Sequence, residues 1–145
     1  MDGVYDKAKY HDATVEEYGL SQKHAENHTA FFLRWLIENG LMNAEIMDSA
    51  IVDNFRLGRA SIHDVYRWHD RCLMDQMLSE EGNAFAKYYF DFQRGRYMDD
   101  YVRTLQGDLP SEYHIKYTEK NYSLMKEIMD RRYQAWKKKP SWWPF

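Results

Sequence analysis

Apolar residues recur at three- and four-residue steps between His24 and Leu41. Ala25, His28, Phe32, Trp35 and Leu36 form a stripe, and Phe31, Leu33 and Ile37 widen it. That is the period of a helix with a broad buried face. Leu20-Ser21 offers a hydrophobic residue and then a capping side chain ahead of it. Asn39-Gly40-Leu41 ends it as a left-handed glycine stop does, with Leu41 able to pack back on the last turn. So wide a face needs cover from several elements, so His24–Asn39 is expected to be the central helix.

The pattern returns along the chain. Asn43 can cap a helix from Ala44 to Leu57 whose inner face is Ile46, Met47, Ala50, Ile51, Phe55 and Leu57; Gly58 stops it, and Asp53-Asn54 is where it would break in two. Ser61-Ile62-His63-Asp64 reads as a capping box with Asp as the reciprocal acid, followed by Ile62, Val65, Trp68 or His69, Cys72 and Leu73 on one side. Ser79-Glu80-Glu81 starts another helix, with Phe85, Tyr88, Tyr89 and Phe92 on its apolar face. Arg94-Gly95 interrupts before Tyr97, Met98, Tyr101, Val102 and Leu105 resume. Gly107-Asp108-Leu109-Pro110 is a turn, and a last helix runs from near Thr118 to Lys137. Residues 1–20 have no sustained period and read as an aromatic-pinned arm rather than a strand, with no sheet expected beyond a short pairing in this arm. The fold expected is all-α: a single domain over 1–145, a bundle of about five to seven helices, with the arm at one end and a short tail at 140–145.

Composition supports a packed globule: 145 residues, 44% hydrophobic, three prolines. The single cysteine, Cys72, rules out an internal disulfide and reads as a small buried hydrophobe in a reducing compartment. No apolar run approaches a membrane span and the first residues lack a signal-peptide core, so a cytoplasmic protein is expected. The net charge of −3 is uneven: residues 1–58 carry ten acids against five bases, residues 110–145 four against eight. An acidic first half argues against direct nucleic-acid binding and suits a basic partner.

Candidate chemistry is sparse. His24 and His28, four residues apart on one helix face, have metal-ligand spacing, but no Glu follows His24 and no third ligand is evident, although His63, His69 and His114 could contribute from afar. The reading is therefore no metal and no cofactor, with hydrogen-bonded interface histidines instead. Adjacent pairs such as Asp99-Asp100 and Glu80-Glu81 diverge on a helix and do not make an acid/base couple. Phosphate-binding glycine loops and nucleophile motifs are absent, so no catalytic residue is assigned. The tail Lys137-Lys138-Lys139-Pro140-Ser141-Trp142-Trp143-Pro144-Phe145 combines cations and aromatics, and its tryptophans are expected to dock on the domain rather than on a membrane.

Four segments carry a resemblance: Tyr5 to His11 (YDKAKYH), His28 to Leu41 (HTAFFLRWLIENGL), Glu81 to Phe90 with Tyr97 to Tyr101, and Asn121 to Lys137. Together they resemble a family of small bacterial helical proteins, some of which look like immunity proteins of toxin delivery systems, including contact-dependent growth inhibition. The resemblance covers most of the chain apart from residues 43–77 and the tail, and it brings no catalytic residues with it.

The resemblance implies a non-enzymatic immunity protein that binds and neutralises a cognate toxin, for which a basic nuclease domain is a suitable partner. On that reading Glu45, Asp48 and Asp53, and the acidic-aromatic cluster Tyr97, Asp99, Asp100 and Tyr101, are the candidate partner-binding residues. The alternative is a small helical enzyme with a His/carboxylate or metal-assisted site. A third is an adaptor that self-associates through exposed aromatics. Oligomeric state is left open.

Overall fold

The computed structural model describes residues 3–139. Its elements, in chain order, are β1 (Val4–Lys7), α1 (Asp12–Glu17), α2 (Lys23–Glu38), α3 (Ala44–Met47), α4 (Ala50–Arg56), α5 (Ile62–Trp68), β2 (Cys72–Met74), α6 (Glu80–Tyr89), α7 (Tyr97–Leu105) and α8 (Glu119–Lys138). Short 3-10 turns occupy Ala8–Tyr10, Asp75–Met77 and Glu112–His114. The protein is a single-domain, mostly helical bundle. Eight α-helices occur among the described residues, one more than the upper expectation, because the arm folds its own helix α1.

The centre of the bundle is α2. Twelve of its residues are buried, from Ala25 through Ile37, including the polar Glu26, Asn27, His28 and Thr29. The stop at its end forms as expected. Gly40 takes φ +67°, Gly40 N–H donates to the Ile37 carbonyl and Leu41 N–H to the Leu36 carbonyl, and Leu41 is buried. Its beginning differs: Gln22 holds the N-cap position and makes no side-chain cap bond. The caps at Asn43, Ser61, Ser79 and Thr118 all form, with both halves of the Ser61/Asp64 box in place.

Four local readings are corrected. The segment 44–57 breaks at Asp48-Ser49 rather than Asp53-Asn54, and Val52 is its fully buried residue while Ala50 and Leu57 are exposed. The helix expected to reach Leu73 ends at Trp68, because Asp70 and Arg71 take left-handed conformations (φ +58° and +55°) that reverse the chain. Beyond the reversal lies the strand β2, where Cys72 is partly exposed rather than buried. The arm in turn contains a strand: β1 pairs antiparallel with β2, Asp6 opposite Leu73 and Lys7 opposite Cys72, with an irregularity between Val4 and Asp6. Short hydrophobic periodicity could not register a four-residue strand whose one buried side chain is an aspartate.

The C-terminal half of α2 is covered by α8. Trp35 Nε1–H donates to Asp130 at 2.8 Å, Arg34 clamps Glu119 through its two Nη atoms at 2.8 and 3.1 Å, and Tyr133 stacks edge-on against Trp35 and Phe85. No helix among the described residues is long and apolar enough to cross a membrane. The tail, with Trp142 and Trp143, lies outside the described residues.

Candidate functional site

The pairing of β1 with β2 places a carboxylate in the core. Asp6 is 1% exposed, opposite the fully buried Leu73. A charge so placed must be met by donors, and three side chains meet it. His11 Nε2 lies 2.8 Å from Oδ1, His28 Nε2 lies 3.0 Å from Oδ2, and the Thr29 hydroxyl donates to Oδ2 at 2.6 Å. Burial alone would raise the Asp6 carboxyl, but the hydrogen bonds and charges of the two histidines outweigh it and hold the group well below the usual carboxylate range. An ionised carboxylate only accepts, so both imidazoles present Nε2–H to it. In their neutral forms each then carries its lone pair on Nδ1.

That second nitrogen differs between the two rings. His11 Nδ1 lies 2.8 Å from the Tyr113 hydroxyl, which donates to it. His28 Nδ1 makes no hydrogen bond among the described residues. The two rings meet edge to face, 4.7 Å between centroids. Burial raises the Tyr113 phenol to about 12, with Glu112 and Asp6 adding to the shift, so it is a neutral hydroxyl at neutral pH.

Each partner is fixed by a separate element. His11 sits at the junction between the 3-10 turn Ala8–Tyr10 and α1, whose first turn is tied down by Asp12 accepting from Arg71. His28 projects from the middle of α2, and Tyr97 donates its hydroxyl to the His28 carbonyl. Tyr113 is carried on the turn Glu112–His114, and His24 Nδ1–H donates to its carbonyl at 2.6 Å. Asn27, on the next turn of α2, anchors the same loop through the Ile115 carbonyl at 3.1 Å and accepts from His63 at 2.8 Å.

The rings of His11 and His28 and the Tyr113 side chain form the floor of a cleft of about 550 Å³. Its opposite wall is α7, with Met98, Val102 and, just before the helix, Phe92; Asp99, Arg103 and Glu112 edge it. Phe92 and Val102 are 42% and 37% exposed, so the wall is apolar and open. The volume is that of a small-molecule site. A second cleft of about 720 Å³ beside Arg34 is larger, but Arg34 is saturated there by Glu119, Glu38 and Tyr117 and lies over the Tyr122 ring. It is a structural clamp.

The residues singled out from sequence are distributed differently. His24 and His28 do not converge on one point; His24 holds the Tyr113 loop, and the partners of His28 are Asp6 and His11. His63, His69 and His114 go to Asn27, the Val65 carbonyl and Ser111. Glu45, Asp48 and Asp53 are exposed. The second expected cluster does not form a surface: Tyr97 and Tyr101 are fully buried, and Asp100, 5% exposed, accepts from Tyr89 and from Nε–H and Nη2–H of Arg132. Only Asp99 faces solvent, beside Arg96. Tyr97 and Tyr101 are therefore core residues, not interface anchors. Rings three or four apart on an amphipathic helix are read equally well as core or as surface from sequence, and here packing against α2 and α8 takes them.

Sequence reasoning misses Asp6 and His11. They are five residues apart in a stretch without periodicity, and nothing local marks Asp6 as inward-facing. Asp6, His11 and His28 are nevertheless, among the described residues, the one group of three or more potential ligands whose donor atoms lie within 4.8 Å of one another. No ion is required to hold the trio together, since its hydrogen bonds already close.

No curated protein matches the chain, and no solved structure matches it. Residues 4–115, which include every member of the trio, Thr29 and Tyr113, match the family described as "Domain of unknown function (DUF7832)". The chain thus belongs to the DUF7832 family.

Proposed function

We propose that the protein is a small helical enzyme whose His/carboxylate centre, Asp6 with His11 and His28, performs proton transfer on a small substrate held in the 550 Å³ cleft. The observation that carries this reading is the buried Asp6 carboxylate accepting from two imidazoles that line the same cleft. In this reading His28 Nδ1 takes the proton from the substrate. Asp6, on the other side of the ring, lies where the imidazolium charge develops, orients the ring and fixes its tautomer. His11 and Tyr113 form a second path by which a hydroxyl proton can be delivered or withdrawn. The apolar face of Phe92, Met98 and Val102 supports a substrate with a hydrocarbon portion.

The test is a turnover screen of small carboxylic esters, phosphoesters and amides on the full chain, run beside His28→Gln and His69→Gln. The expected result is turnover in one class that drops by at least about 10²-fold in His28→Gln and persists in His69→Gln. Turnover in no class, or turnover indifferent to His28→Gln, overturns the reading.

A second reading, neutralisation of a basic toxin, has one observation in its favour: Glu45 on α3, Asp48 just beyond it and Asp53 on α4 are all exposed, and among the described residues only Asp53 of the three meets a cation, Arg56 at 3.4 Å. Replacing the three by Lys should slow association with a toxin domain encoded at a neighbouring locus and flatten its salt dependence. Unchanged binding and protection by that variant would remove this surface from consideration.

A further inference from the structure

We propose that Asp6, His11 and His28 are a binding site for one divalent first-row transition ion. This rests on the trio being the working centre of the cleft, but not on any turnover.

The geometry matches a coordination sphere. Metal–nitrogen and metal–oxygen bonds of about 2.0–2.2 Å put neighbouring ligand atoms roughly 2.9–3.5 Å apart. The two Nε2 atoms lie 2.8 and 3.0 Å from the carboxylate oxygens, and all the donor atoms fall within 4.8 Å of one another. An ion among them would replace the two Nε2–H···carboxylate hydrogen bonds with metal–ligand bonds.

The surroundings match as well. A metal-bound imidazole uses its other nitrogen on an outer partner, and a ligating carboxylate is itself hydrogen-bonded. Tyr113 is already on His11 Nδ1 and Thr29 is already on Asp6. Loading the ion requires a tautomer change: each Nε2 gives up its proton, Nδ1 gains one, and the Tyr113 hydroxyl turns from donor to acceptor. Thr29 keeps its bond. Three protein ligands leave a fourth position on a tetrahedral ion; two of the three, His11 and His28, line the cleft, while Asp6 is buried behind them.

Donor chemistry fixes the class of ion. Two imidazoles and one carboxylate suit Zn²⁺, Fe²⁺, Co²⁺ and their neighbours, whereas Mg²⁺ and Ca²⁺ favour all-oxygen sites. With both Nε2 atoms committed to the ion, His28 no longer acts as a free base. Loaded and unloaded protein therefore differ in whatever turnover the cleft supports.

The experiment uses the untagged, chelator-washed full chain. Zn²⁺ is titrated calorimetrically and Co²⁺ by its visible absorption, with Mg²⁺ and Ca²⁺ as controls. The expected result is one Zn²⁺ per chain at micromolar affinity or better, at least about 100-fold tighter than Mg²⁺. His11→Gln and His28→Gln should each lose about 100-fold or more. Because those variants alter a buried cluster, Tyr113→Phe is made too; it removes only the outer partner and should weaken Zn²⁺ about 10–100-fold with the fold intact. No Zn²⁺ binding up to about 1 mM, or affinity unmoved in all three variants, overturns the proposal. Turnover that appears without any metal affinity leaves the proton-transfer reading standing and removes this one. Metal affinity without turnover does the reverse.

Discussion

Arg71 donates Nε–H to Glu26 at 2.7 Å, and the acid it meets is 1% exposed. The other guanidinium nitrogens grip Asp12 at 2.8 and 2.9 Å, and the Arg71 carbonyl accepts from Ala8 N–H. One residue in a left-handed conformation thus ties α2, α1 and the arm to the turn that starts β2, and it does so within two residues of the strand that opposes Asp6. Replacing Arg71 by Met leaves the buried Glu26 only its longer contacts with Arg67 and frees Asp12, and should cost about 3 kcal/mol. Arg67, which also reaches Glu26 but whose side chain is 46% exposed, should cost under about 1 kcal/mol when replaced in the same way. Urea unfolding of the two variants checks the difference. Equal losses would mean that Arg71 is not the clasp.

Burial, with Lys23 and Arg67 acting in the same direction, pushes the His63 imidazole down from 6.5 to about 4. The unfolded chain therefore binds a proton below about pH 6.5 that the folded chain refuses until about pH 4. Stability is lost as pH falls through that window, by up to about 3 kcal/mol from this group. The difference in unfolding free energy between pH 7 and pH 4.5 should be smaller by about 2–3 kcal/mol in His63→Gln than in the parent. An identical pH slope in both proteins would count against a buried neutral His63.

Tyr97 and Asp99 are two residues apart and opposite in role. Tyr97 is fully buried against Phe32, Phe90 and Tyr89, while the Asp99 side chain is 61% exposed. Tyr97→Ala should cost about 3–5 kcal/mol, and Asp99→Ala no more than about 0.5 kcal/mol. Thermal unfolding separates them, and a mild Tyr97→Ala would contradict the packing described for α7.

Gly82 in the first turn of α6 lies against the loop that leaves α2. A Cβ there would fall 2.2 Å from the Leu41 carbonyl oxygen, a backbone atom that cannot swing aside. Gly82→Ala, normally favourable inside a helix, should instead destabilise by about 1–3 kcal/mol. Calorimetry showing an unchanged or raised melting temperature would refute that close approach.

The helices are legible because their information is local. The stripe from Ala25 to Ile37, the caps at Asn43, Ser61, Ser79 and Thr118 and the Gly40 stop are each written within a few neighbouring residues. The Asp70-Arg71 reversal is not, since neither residue advertises a left-handed conformation; long-range bonds to Asp12 and Glu26 hold it. The candidate centre is half legible. His28 stands out by its helical position, but its partners arrive from a strand and a turn whose placement depends on pairing with β2, some 65 residues along the chain. A single buried aspartate in a polar-looking arm gives periodicity nothing to detect.

The cover supplied by α8 has an implication for how this chain can change. Asp6, His11, His28, Thr29 and Tyr113 all fall within 4–115, whereas α8, over Glu119–Lys138, lies beyond that span and contributes no residue to the cleft. It meets α2 two turns further along, through Trp35, Arg34 and their partners Asp130 and Glu119. Chemistry and buttress are thus written in different stretches of sequence. A substitution along α8 therefore changes no side chain that lines the cleft and reaches it only through packing, the Arg132 clasp on Asp100 being the link from α8 to the α7 wall.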